Sequence, residues 1–171
     1  MKCRRAKGGF TLIELIVVMT IIAVITASVI PVFQGSLSTT EANRAVRDLV
    51  SLMKYAQSRA VTDAVEYRVY LDERKNGYWM MRLEKEEFGD KYFERLGDQD
   101  GEFFPLPAAL EFDRLDATRD RTYDAHYIAF YPAGGSDIAE VKIRERDEPT
   151  QDYTIRTTGA LGNIEFTEPT S

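Results

Sequence analysis

Lys7-Gly8-Gly9-Phe10-Thr11-Leu12-Ile13-Glu14-Leu15-Ile16-Val17-Val18-Met19-Thr20-Ile21-Ile22-Ala23-Val24-Ile25 decides how the rest of the chain is read. A basic head meets a long apolar run, and one carboxylate, Glu14, sits inside that run. From Phe10 to Phe33, 24 residues pass without Lys, Arg or Asp and with no other Glu. As a helix rising about 1.5 Å per residue, this is enough to cross a hydrocarbon core of roughly 30 Å, so residues 10–33 are read as a transmembrane helix. A carboxylate in lipid costs roughly 2.5–3.5 kcal/mol on insertion scales. Glu14 therefore either snorkels to the headgroups or meets a cation at its own depth. Cutting the chain between Gly9 and Phe10 would create one, an α-amino group four residues from Glu14. The pair could close within one helix, or between staggered helices of neighbouring copies.

An ordinary secretory signal has an apolar core of about 7–15 residues, shorter than this run, and leaves Glu14 unexplained. A plain single-pass anchor explains the length but not Gly8-Gly9-Phe10. The stretch Lys7-Gly8-Gly9-Phe10-Thr11-Leu12-Ile13-Glu14 resembles the processing site of type IV prepilins and type II secretion pseudopilins. That resemblance implies cleavage after Gly9 by a prepilin peptidase, N-methylation of Phe10, and a role for Glu14 in assembly. Pro31 falls where such proteins commonly bend their helix. The resemblance covers about the first 35 residues.

Composition bounds the remainder. The chain has 171 residues and a formal charge of −6. Four cations, Lys2, Arg4, Arg5 and Lys7, precede Phe10. Without them 18 basic residues face 28 acidic ones, a net of −10. The positive-inside rule then places the N-terminus in the cytoplasm and the acidic part in the periplasm, with one pass through the inner membrane. The single cysteine, Cys3, lies in the leader, so the mature chain has no disulfide. Many major type IV pilins close a C-terminal disulfide loop, and its absence leans toward a pseudopilin or minor pilin.

Beyond Gly35 and Ser36–Thr40, where a helix could loosen, Ala42, Ala45, Val46, Leu49, Met53, Ala56 and Ala60 recur at helical spacing. From Val65 the period is two: Val65, Tyr67, Val69 and Leu71 alternate with Glu66, Arg68 and Tyr70. Asp72–Gly77 forms a turn, and Trp79, Met81 and Leu83 share a face of the next strand. Lys85–Pro107 reads as a long loop or excursion. Leu110 and Phe112, Tyr127–Tyr131, Ala139–Arg144, Tyr153–Thr157 and Ile164–Phe166 complete six or seven strands. The expected divisions are a leader over 1–9, the transmembrane helix over 10–33, an amphipathic helix continuing the stalk over 34–62, and a periplasmic β-rich head over 63–171. The fold class is α+β, a long N-terminal helix packed on an antiparallel β head, pilin-like.

Asn43–Val50, Ala56-Gln57-Ser58-Arg59-Ala60, Asn76-Gly77-Tyr78-Trp79 and Ile128–Gly134 are similar to stretches of the H-type pseudopilin and FimT-type minor pilin group. The resemblance implies a minor pseudopilin of a type II secretion system, or alternatively a FimT-like minor pilin of a type IV pilus serving pilus biogenesis or DNA uptake. Its partners would be other pseudopilins or pilins, met through the helix and the head.

Nothing points to catalysis. His126 is the only histidine, without a second His or a Cys to build a dyad or metal site. Asp98, Asp100 and Glu102 cluster, but the spacing of a calcium loop is missing, and a solvated acidic turn fits better. No cofactor is expected, and the chain is read as no enzyme. DNA contact is disfavoured by the mature charge and by the last hairpin, Thr157–Ile164, which has no Arg after Gly159; Arg144, Arg146 and Arg156 are interleaved with acids.

Overall fold

The computed structural model describes residues 11–96, 102–146 and 152–169, with side chains described throughout except for 27–39 and 161. It divides into two compact units, Met1–Thr40 and Glu41–Ser171.

One helix, α1 (Leu12–Asp63), runs through Pro31 and Gly35. From Thr11 to Thr26 every side chain is exposed, including eleven large apolar ones. Among the described residues no helix is long and apolar enough to cross a membrane. The transmembrane helix expected over 10–33 is therefore not seen as such. The described apolar side chains span residues 11–26, about 24 Å of helix at about 1.5 Å per residue, short of a core of roughly 30 Å. Phe10 and the side chains of 27–33 lie outside the described residues.

In the second unit the α1 stripe is buried as its spacing requires. Ala42, Val46, Leu49, Met53, Ala56 and Ala60 are all 1% exposed or less. They pack with the inner faces of two antiparallel sheets in one core. The first sheet has the order β3 (Asp90–Arg95), β2 (Gly77–Glu87), β1 (Tyr67–Asp72), β7 (Ala125–Phe130) and β6 (Thr118–Asp120), with β4 (Phe104–Pro105) also paired to β2. The second runs β10 (Ile164–Thr167), β9 (Asp152–Thr158), β8 (Ile138–Glu145) and β5 (Leu110–Asp116). Tyr67, Val69 and Leu71 from the first sheet meet Val141, Ile143 and Ile155 from the second beneath α1.

The β1–β2 turn shows how local chemistry fixes register. Asp72 Oδ1 accepts from the backbone N–H groups of Arg74 and Lys75 at 2.9 and 3.0 Å. Asn76 takes the left-handed conformation at φ 50 that Asn tolerates. Tyr70 then pairs with Trp79 and Leu71 with Tyr78.

Three expectations are corrected. Ten strands are present among the described residues rather than six or seven. The excursion at 85–107 supplies much of the excess, because it continues β2 and adds β3 and β4 along its edge. The first strand begins at Tyr67 rather than Val65, after Ala64 turns the chain at φ 55. Tyr70 does not face water either. It is fully buried in a second cluster with Trp79, Met81 and Ala125 on the outer face of the first sheet. There Tyr70 stacks on Trp79 at 5.2 Å, and the Arg68 guanidinium lies over the Phe93 and Tyr127 rings at 3.8 and 4.2 Å. Glu66, itself buried, binds Arg68 at 2.8 Å and Lys91 at 2.5 Å, so the Arg68 charge beside this layer is paired.

Candidate assembly site

The expected processing residues Gly9 and Phe10 lie outside the described residues, as do Asp98 and Asp100. The described chain begins at Thr11, which ends the helix on its own atoms. The backbone N–H of Glu14 reaches Thr11 O at 3.1 Å and Thr11 Oγ1 at 3.3 Å, and that of Leu15 reaches Thr11 O at 3.2 Å. This capping puts the Glu14 carboxylate in the first helical turn, where the helix dipole favours a negative charge.

From Leu15 to Thr26 the helix surface is apolar all round. Leu15, Ile16, Met19, Thr20 and Ala23 line one open groove on it. The two hydroxyls of residues 15–26 turn back on the helix: Thr20 Oγ1 donates to Ile16 O and Thr26 Oγ1 to Ile22 O, both at 2.8 Å. No side-chain hydroxyl there needs water, and such a surface suits lipid or other helices.

In the second unit the motif stretches noticed separately in the sequence are brought together by Gln57. Its amide Nε2 donates to Gly134 O at 2.9 Å and to Gly162 O at 2.8 Å. Gly134 belongs to the loop after β7, and Gly162 follows a 3-10 turn over Gly159–Leu161. The two loops are also joined directly, Ser136 N–H donating to Gly159 O at 2.9 Å. Gly162 sits at φ 60, and a Cβ there would come within 2.1 Å of both Gln57 Nε2 and Gly134 O. Gln57 was legible only as part of Ala56–Ala60; nothing local announces its two acceptors.

Charges near the last hairpin are neutralised. Arg144 contacts Glu111 at 2.8 Å and Asp113 at 2.7 Å, Arg146 reaches Glu111 at 3.3 Å, and Arg156 binds Glu140 at 2.6 Å. The Arg156 contact holds the Glu140 carboxyl below its ordinary range. Burial, together with a hydrogen bond to Asp137, raises Tyr131 above the usual phenol range. His126 lies half-buried on β7, and no group of metal-ligating side chains occurs among the described residues. Among the described residues these ionic contacts link neighbouring strands of the second sheet.

Comparison with known proteins agrees with this description. Residues 4–30 match the prokaryotic N-terminal methylation motif. A fimbrial protein of Pseudomonas aeruginosa is 40% identical over 62 residues, 36% of this chain and 40% of the relative. The chain thus spans about two fifths of the length of the curated relatives it matches. The fold is similar to the minor pseudopilin EpsH from the type 2 secretion system of Vibrio cholerae (TM-score 0.59, 14% identity, 77% of this chain and 99% of that one). It is also similar to the type IV minor pilin FimU of Pseudomonas aeruginosa (TM-score 0.53, 16% identity, 78% and 93%). This is the pilin-like α+β fold. Residues 45–160, more than half of the sequence, match the type II transport protein GspH, and the chain belongs to that family.

Proposed function

We propose that the chain is a minor pseudopilin subunit of a type II secretion system, and that its activity is assembly. The observation that carries this reading is the family match over the head, joined to an N-terminal methylation motif. Prepilin peptidase cleaves after Gly9, and the Phe10 amine is methylated. Residues 10–33 cross the inner membrane once, with the basic leader in the cytoplasm and the head, from residue 63, in the periplasm; residues 34–62 continue the stalk between them. Glu14, in the first turn of α1 amid exposed apolar residues, pairs with the N-terminal amine of a neighbouring subunit as helices pack into the filament. Low-dielectric surroundings make that pairing strong and an unpaired Glu14 costly, which sets register.

Intact mass with and without prepilin peptidase tests the processing. Loss of residues 1–9 plus one methyl on Phe10 is expected, and an unchanged mass in both cultures overturns the reading. Glu14→Ala tests the pairing: filament incorporation should fall while the head's unfolding temperature stays the same. A second reading, a FimT-like minor pilin of a type IV pilus, draws on the 40% identity to the fimbrial proteins. Deleting the gene separates the two, since the first predicts lost protein secretion and the second lost pili.

A further inference from the structure

One arginine of the head shows what this protein uses to hold a guanidinium. Arg68 lies over the Phe93 ring at 3.8 Å and the Tyr127 ring at 4.2 Å, and its Nε–H donates to the Glu66 carboxylate at 2.8 Å. Aromatic walls suit the flat, weakly hydrated faces of the group, and a carboxylate takes the protons at its edge.

The same groups recur between α1 and the first sheet. Asp48, Ser51, Leu52 and Tyr55 of α1, with Tyr78 of β2 and Phe104 of β4, line an open, mainly apolar depression of about 340 Å³. Tyr78 and Phe104 stack at 5.6 Å, and Tyr55 adds a third ring. Asp48 is the one charged residue among those lining it, and no arginine or lysine of the described residues lines it. Arg47, next in sequence, is bound to Glu168 instead. Arg44 precedes Asp48 by one helical turn, the weaker order for such a pair, and makes no ion pair with it. The carboxylate's field still reaches the rings, since it adds to the burial that raises Tyr78. Glu66 is buried and is met by a cation of its own chain, whereas Asp48 is exposed. A cation for Asp48 therefore comes from outside.

We propose that the hollow receives an arginine side chain from a neighbouring filament subunit of different sequence, its stem against Leu52, its guanidinium against the Tyr55, Tyr78 and Phe104 rings and on the Asp48 carboxylate. Arginine fits better than lysine, because a planar fork can lie flat on a ring and still give a carboxylate two N–H groups. One side chain is far below the roughly 1,000 Å² of a stable interface. The contact therefore orients subunits that their N-terminal helices already hold together, and in that respect it rests on the filament reading. A minor subunit has neighbours of other sequence, so the arginine belongs to one of those.

The test uses the full chain, expressed with prepilin peptidase and the other subunits of its filament, with the photo-cross-linking residue p-benzoylphenylalanine in place of Arg44. That position lies one turn from Asp48 and adds no bulk to the residues lining the hollow. Illumination should give an adduct with a subunit of different sequence, and the captured stretch should carry an arginine. Asp48→Asn, which removes the charge and keeps the shape, should cut the adduct about tenfold, as should glutamine in place of the captured arginine. An adduct that Asp48→Asn leaves unchanged, one that maps to a stretch without arginine, or one with a second copy of this chain overturns the proposal. Processed protein with no adduct also overturns it and leaves the filament reading intact. Unprocessed protein sinks the filament reading; the arginine contact stands if the Asp48-dependent adduct persists and falls if it does not. Asp48→Asn should leave the unfolding temperature unchanged, since it breaks no ion pair within the chain. A lower temperature would make Asp48 a folding residue and overturn the proposal.

Discussion

The Gln57 side-chain amide donates to the carbonyl oxygen of Gly162 at 2.8 Å, 105 residues away in sequence, while its other proton goes to Gly134. One helical side chain thereby ties the end of the first sheet to the last turn of the second. Gln57→Ala removes both bonds and leaves two part-buried carbonyls to find new donors. The expected loss is about 1–3 kcal/mol, read as a shift in the urea midpoint of Trp79 fluorescence.

Gly162→Ala attacks the same junction from the other side. The added methyl group meets the Gly134 carbonyl, a backbone atom that cannot rotate away, and the residue is held at φ 60. A loss of about 3 kcal/mol is expected. Because both substitutions break one junction, the double variant should lose clearly less than the two single losses added together. Additive losses would show that Gln57 and Gly162 act separately.

Gly77→Ala tests the edge of the first sheet. Its Cβ would lie 2.4 Å from the Phe103 ring and 2.6 Å from Phe104 O. The ring can move, but the carbonyl belongs to β4, so β4 must leave its pairing with β2. Amide exchange should accelerate for β4 and the start of β2 while β8 and β9 remain protected.

Such close approaches explain what the sequence does and does not disclose. Val141 and Ile143 were legible because β8 has one buried and one wetter face, and alternation records that difference. Tyr70 was misread because both faces of β1 are covered, and a strand covered twice has no polar phase. β3 and β4 escaped notice because edge pairing needs backbone groups only, and their exposed side chains carry no period. The α1 stripe from Ala42 to Ala60 was plain, since a single core lies beneath it. Gln57 needed three segments in one place, which no local window contains. Glu14 stood out for the opposite reason, as a lone charge in an apolar run that needs no tertiary context to be noticed.

Alkaline pH should loosen the core. Burial, with the Asp48 charge adding to it, pushes Tyr78 up to about 12. In the unfolded chain a tyrosine ionises near 10. The native state therefore holds its proton more tightly, and the associated stability is fully present below about pH 10 and lost as pH rises from 10 toward 12. Urea midpoints should fall across that window. Tyr78→Phe should flatten the fall, and an unchanged slope would assign it to other groups.

Whether the head meets DNA can be decided by its own ion pairs. Arg144, Arg146 and Arg156 are each bound to carboxylates of Glu111, Asp113 or Glu140. Phosphates would have to displace those acids, so the paired arginines neutralise few phosphates and release few of the cations condensed on the DNA. The native chain should leave the anisotropy of a labelled DNA duplex unchanged at physiological salt. The variant Glu111→Gln, Asp113→Asn, Glu140→Gln frees all three arginines and adds three units of positive charge to one region. It should bind weakly and in a salt-dependent way, with affinity falling as salt rises. If the native chain binds as tightly as that variant, the pairs are no barrier, and the type IV pilus reading with DNA contact gains over secretion.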